Sequence, residues 1–264
     1  MPLAEVFSRA RAQNRAALIV FITAGDPDLA ATERLVPALY RAGADLVELG
    51  IPYSDPLADG PIIQAAGQRA LRAGTTVAGV LEAARQIKER TGLPLVVMTC
   101  YNPILQFGPE RFAARAAEVG ISGVLISDLP PEESQEWCAI AAGKSLETIF
   151  LVAPTTEPER MALACRLSTG FVYVVSRPGT TGVREDLPPD LSGLVARLRE
   201  LTDKPLAVGF GLSKPEQIAV VARVADGSIV GSAVVRMIGE RGASAEGLEA
   251  VQGFVRSLAE ATRR

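Results

Sequence analysis

Histidine is absent from this chain. That removes the commonest general base and the commonest metal ligand, so any proton transfer falls to carboxylates, Lys, Tyr or Cys. Cysteine is nearly absent too. Cys100, Cys138 and Cys165 are odd in number and far apart, which argues against a disulfide framework and against a zinc site. The plain reading is a reduced, cytoplasmic enzyme. No apolar run reaches the roughly 18–20 residues that a membrane span needs. The first residues are amphipathic, without the apolar region of a signal peptide. Positive charge is not concentrated either: 23 Arg and only 4 Lys are scattered against 30 acids, for a net charge of −3. A chain without a basic field is a poor candidate for nucleic-acid binding.

What the chain has is a repeating pattern. Apolar strand-like runs at 17–23, 45–50, 93–99, 123–127, 148–153, 170–176, 205–209 and 227–231 alternate with stretches of helical period at 32–43, 77–91, 110–120, 132–142, 157–167, 191–201 and 214–225. Near-continuous apolar strands separated by helices predict a parallel sheet covered on its faces. Eight such units in 264 residues match a closed (β/α)8 TIM barrel in a single domain, 1–264. The alternative, an open doubly wound sheet, calls for a Gly-rich nucleotide turn after the first strand. Ala24-Gly-Asp-Pro-Asp-Leu29 is not one. Residues 3–13 predict an extra N-terminal helix over the barrel bottom. Residues 243–261 predict an extra helix near the C-terminus, preceded by a short one at 233–238.

In such a barrel the site forms where strands end and the following loops begin. The segment 45–61 is therefore the most informative. It places Glu48 inside an apolar strand and, eleven residues on, Asp59 in a loop punctuated by Pro and Gly. A charge facing the helix layer would be stranded in apolar surroundings, so Glu48 is expected to face the interior near the open mouth. Leu and Ile around it would raise its pKa, which suits a group that both gives and takes a proton. A structural Glu paired with an Arg is the alternative. Asp59 is either a turn former or a second functional acid overhanging the same mouth. Gly179-Thr-Thr-Gly182, Gly209-Phe-Gly211 and Gly231-Ser-Ala233 follow the last three strands. Glycines let backbone N–H groups approach an anion, so successive strand-end Gly loops predict a phosphate site. Lys88, Lys144, Lys204 and Lys214 all fall away from strand ends, which disfavours a Schiff base. Tyr173 either presents its hydroxyl to the site or is a core aromatic. Cys100, at a strand end, reads as a small buried hydrophobe, with pocket lining as the alternative. The stretch 177–190, polar and rich in Gly and Pro, predicts a lid.

Phe21-Ile-Thr-Ala-Gly-Asp-Pro27, Glu48 through Pro61, Ser127-Asp-Leu-Pro130, Tyr173 with Ser176-Arg177 and Gly179-Thr-Thr-Gly182, Gly209-Phe-Gly211 and Gly231-Ser-Ala233 occur in order along the chain. In this it resembles the tryptophan synthase alpha chain family. The resemblance implies retro-aldol cleavage of indole-3-glycerol phosphate to indole and glyceraldehyde 3-phosphate. It implies that Glu48 protonates the indole C3 and helps remove the glycerol hydroxyl proton, and that Asp59 binds the indole N–H. Phe21, Leu57 and Phe210 would enclose the ring, beside Tyr173. Gly182, Gly211, Gly231 and Ser232 would hold the phosphate, and Thr181 would close onto Asp59. No cofactor is implied for this chain. Pyridoxal phosphate is implied in a partner beta chain, in an αββα assembly using the loop 53–59 and the segment 102–108. A purely regulatory subunit and a sugar-phosphate isomerase are the competing functions.

Overall fold

The computed structural model describes residues 1–57, 59–176, 190–209 and 211–264. Among them, eight strands pair in parallel in chain order and the last returns to the first, closing a barrel. They are β1 (Ala17–Thr23), β2 (Leu46–Gly50), β3 (Leu95–Thr99), β4 (Gly123–Ile126), β5 (Glu147–Val152), β6 (Val172–Val175), β7 (Leu206–Gly209) and β8 (Gly227–Val230). All match the expected runs to within two residues. The TIM-barrel expectation therefore holds. Every residue of β2, β4, β6, β7 and β8 is buried, as strands covered on both faces require.

Alternation along the strands sorts the core into two parts. Ile19, Leu46, Val96, Leu125, Ile149, Tyr173, Ala207 and Ile229, one from each strand, fill the barrel interior. Leu18, Val20, Val47, Leu49, Val97 and Val174 point outward into the larger cluster beneath the helices. Two positions beyond Ile19 and Leu46, the same parity turns Phe21 and Glu48 inward, one layer nearer the C-terminal mouth.

The expected helices form as α1 (Leu3–Ala12), α2 (Leu29–Arg41), α4 (Val77–Thr91), α6 (Pro109–Glu118), α7 (Gln135–Ala142), α8 (Pro158–Leu167), α9 (Leu191–Leu201), α10 (Pro215–Val224), α11 (Ser232–Arg241) and α12 (Ala245–Glu260). Their ends follow local chemistry. The Thr76 hydroxyl accepts from Gly79 N–H to open α4, and Gly92 closes it at φ +66°, the N-cap and left-handed C-cap pattern. Helix α1 seals the barrel bottom. Leu3, Val6, Phe7 and Ala10 join the interior cluster, Phe7 packs on Phe171 with ring centroids 5.5 Å apart, and Leu3 N–H donates to Glu147 at 2.8 Å.

Two helices lie where the sequence pattern points to none: α3 (Pro61–Arg72) and α5 (Tyr101–Phe107). Pro61 and Pro103 both sit in a first turn, where the missing N–H has no intrahelical partner to lose. Helix α3 is fastened by Arg69, whose guanidinium donates twice to the Asp26 carboxylate, at 2.7 Å each. Asp26 is buried. Arg69→Ala would strand that carboxylate, so we expect a loss of about 2 kcal/mol, moderated because Arg69 is partly exposed. Urea unfolding measures it, and an unchanged midpoint would contradict the clamp.

Candidate active site

The C-terminal mouth of the barrel holds a cavity of about 450 Å³ lined by Glu48, Asp59, Phe21, Ile63, Met98, Tyr173, Gly211, Leu212, Ile229, Gly231 and Ser232. A second lobe of about 410 Å³ adjoins it, sharing Phe21, Asp59, Ile63 and Met98 and adding Thr23, Tyr53, Thr99 and Ser127. Both expected acids thus face one space, although eleven residues separate them in the chain.

Glu48 sits in β2 in register with Phe21 of β1 and Val96 of β3. It is 1% exposed. Neither carboxylate oxygen has a hydrogen-bond partner among the described residues, so the alternative of an Arg-paired structural Glu does not hold among them. Burial alone pushes its pKa up to about 8. A carboxyl group in this state is protonated at neutral pH and can return to carboxylate at small cost.

Asp59 arrives from the other direction, on the loop between β2 and α3. Its N–H donates to Pro56 O at 3.1 Å, and its own carbonyl accepts from Gln64 Nε2 at 2.8 Å. The Tyr53 hydroxyl donates to its carboxylate at 3.1 Å. Burial raises the Asp59 pKa and the Tyr53 hydrogen bond opposes that rise. No Lys or Arg is among the described lining residues of either lobe.

Two glycines make room for the aromatic walls. A Cβ on Gly50 would lie 2.5 Å from the Phe21 ring, and one on Gly209 would lie 2.4 Å from the Tyr173 hydroxyl oxygen. Tyr173 is buried and close enough to Glu48 for that charge to raise its pKa, after the larger effect of burial. It is therefore both a core aromatic and a cavity wall. At the far end, Gly231 caps α11 and Ser232 begins it. Both line the cavity with Gly211, so the helix brings its N-terminal N–H groups toward the space, where an anion is favoured.

Leu57 is the exception among the expected lining residues. It is 89% exposed and belongs to neither lobe's lining, whereas Ile63 and Met98 line both. Met98 shares the inward parity of Val96 and was readable on that ground. Ile63 comes from α3 and carried no such signal. Thr181, Gly182, Phe210 and all of the expected 177–190 lid but Asp190, which caps α9, lie outside the described residues. Cys100 is buried at the end of β3 and interacts with the Tyr53 hydroxyl.

Fold and cavity together put the chain among the (β/α)8-barrel enzymes, which work at the mouth formed by their strand ends. Comparison narrows the class. The tryptophan synthase alpha chain family model matches residues 7–263. The tryptophan synthase alpha chain of Geobacter sulfurreducens is 49% identical over 98% of each chain. That of Synechocystis is 48% identical over 97% of each. Among solved structures, Mycobacterium tuberculosis tryptophan synthase superimposes with a TM-score of 0.91 at 40% identity, over 99% of this chain and 98% of that one. The alpha subunit from Legionella pneumophila gives 0.90 at 36% identity, over the same shares. The chain belongs to the tryptophan synthase alpha chain family. It is a lyase subunit of tryptophan biosynthesis that cleaves indole-3-glycerol phosphate. Family membership also implies a beta-chain partner. Among the described residues no helix is long and apolar enough to cross a membrane.

Proposed function

We propose that Glu48 and Asp59 divide the acid–base work of indole-3-glycerol phosphate cleavage. Glu48, protonated at neutral pH, gives its proton to the indole C3. This interrupts the aromatic ring and leaves positive charge toward the ring nitrogen. Asp59, as carboxylate, accepts the indole N–H and stabilises that charge. The ionised Glu48 then takes the proton of the glycerol hydroxyl. The electron pair of that O–H bond forms the aldehyde C=O, and the C–C bond to the ring breaks, restoring the indole. One proton is given and one taken, so Glu48 finishes as it began. A group poised near neutral pH does both most readily.

The single observation carrying this reading is Glu48 itself: a buried acid with no hydrogen-bond partner among the described residues, on the cavity that Asp59 also lines. Phe21, Ile63, Met98, Leu212 and Ile229 offer an apolar enclosure suited to an indole ring, which favours this substrate over a bare sugar phosphate. The substrate phosphate is assigned to the backbone N–H groups of Gly211, Gly231 and Ser232, with Gly182 contributing and Thr181 closing onto Asp59 as the family resemblance implies. The test is indole release by wild type and by Glu48→Gln; undiminished turnover in the variant would sink the assignment.

The same reading gives the chain no cofactor of its own and reserves pyridoxal phosphate for the beta chain, in an αββα assembly. The loop 53–59 and α5 are the assigned contact, supported by Leu57 at 89% and Leu105 at 52% exposure. Saturating beta chain is expected to raise the rate of indole formation, and an unchanged rate would count against coupling between the subunits. The three cysteines are all free, in keeping with the cytoplasmic setting expected from the sequence.

A further inference from the structure

We infer that Tyr53 is a positioning residue for Asp59: its hydroxyl holds one carboxylate oxygen and leaves the other to receive a ligand N–H. This inference rests on the role proposed above for Asp59.

The loop that carries Asp59 is anchored through its backbone by Pro56 and Gln64. Those bonds fix the Cα and leave the carboxylate free to rotate. The Tyr53 hydroxyl, 3.1 Å from Oδ2, is the side chain's hydrogen-bond partner among the described residues. Tyr53 lines the same lobe as Asp59. A phenol has one proton to donate and lone pairs with which to accept. Its proton goes to Asp59, and Cys100, the buried residue that precedes α5, lies close by. Burial pushes the Cys100 thiol up to about 12, so the thiol stays neutral and adds no second anion beside Asp59.

The hydrogen bond also bears on charge. Asp59 can stabilise a cationic ring only while ionised. Burial opposes ionisation, and Tyr53 restores it in part. Among the described residues the titratable groups near Asp59 are Tyr53 on its own loop, Cys100 at the end of β3, and across the cavity Glu48 of β2 and Tyr173 of β6. None is basic, so the Tyr53 proton is the donor that favours the Asp59 anion among the described residues.

The experiment is the pH profile of indole release by the chain assembled with its beta-chain partner. The wild-type profile has an acidic limb where Asp59 must ionise and a basic limb near 8 where Glu48 loses its proton. Tyr53→Phe is expected to move the acidic limb up by about one pH unit, as loss of a hydrogen bond to a charged group would. The plateau kcat should fall about tenfold with KM within twofold, and the Glu48 limb should stay in place as an internal control. A more acidic phenol, 3-fluorotyrosine at position 53, should move the limb the other way without altering packing. In the Asp59→Asn background Tyr53→Phe should bring no further loss, because the hydroxyl acts through Asp59. An acidic limb that stays put in both Tyr53 variants would overturn the inference, even if kcat fell, since loop stiffening lowers rate without moving a limb. Undiminished turnover in Asp59→Asn alone is a separate result and would overturn the role of Asp59.

Discussion

Glu48→Gln is expected to lower indole release by about 10³-fold, the scale of losing a general acid and its return as base. KM should change little, because Gln fills the same volume and the ring still meets Phe21, Ile63 and Met98. The variant should also differ in stability, with a sign that depends on pH. The Glu48 pKa is about 8 in the folded chain against an ordinary 4.5. A raised carboxyl pKa contributes stability that is fully present below 4.5 and is lost as pH rises through 8. By pH 9 the wild type carries an unpartnered buried charge, a penalty on the order of several kcal/mol. Gln has no charge to bury, though its amide pays a smaller penalty at all pH values for want of a partner. The two stability curves should therefore cross. The wild type should be the more stable near pH 5 and the variant near pH 9. Urea unfolding at those two pH values measures it; parallel curves would show that Glu48 is not perturbed in the way its burial requires.

Asp59→Asn is expected to lower kcat by about 10²-fold, the usual effect of removing a group aimed at charge that develops in the transition state. Asn can still hydrogen-bond the ring nitrogen through its amide oxygen, so ground-state binding should persist and KM should stay within a few-fold. What it lacks is the negative charge. The acidic limb of the pH profile should accordingly vanish and the limb near 8 remain. A variant that keeps its acidic limb would assign that limb to another group and remove Asp59 from the chemistry.

Much of this was legible in the sequence, for reasons that differ by element. The eight strands could be read because each is buried on both faces, and burial leaves an unbroken apolar run. Glu48 could be read because strand parity gives an acid only two places to face, and one of them is impossible for a charge. Asp59 could not be settled that way. Asp-Gly-Pro is ordinary turn chemistry, and no periodicity says which way a loop side chain points; the family resemblance supplied the direction. For the same reason Leu57 was expected on the cavity and stands in solvent, while Ile63 enters from α3, a helix outside the expected pattern. The Tyr53–Asp59 hydrogen bond joins two residues of one loop across a fold in its backbone, and nothing in their spacing announces it. Phe210 and 177–189, by contrast, keep only the standing of their sequence motifs.

The helix beneath the barrel has a consequence for traffic. With Leu3, Phe7 and Ala10 wedged among the inward side chains, the described residues close the barrel at its bottom. Substrate and products are thereby directed to the other end, where the strand-end rim carries Asp59. Whatever docks on that rim would therefore stand beside the path of substrate and products.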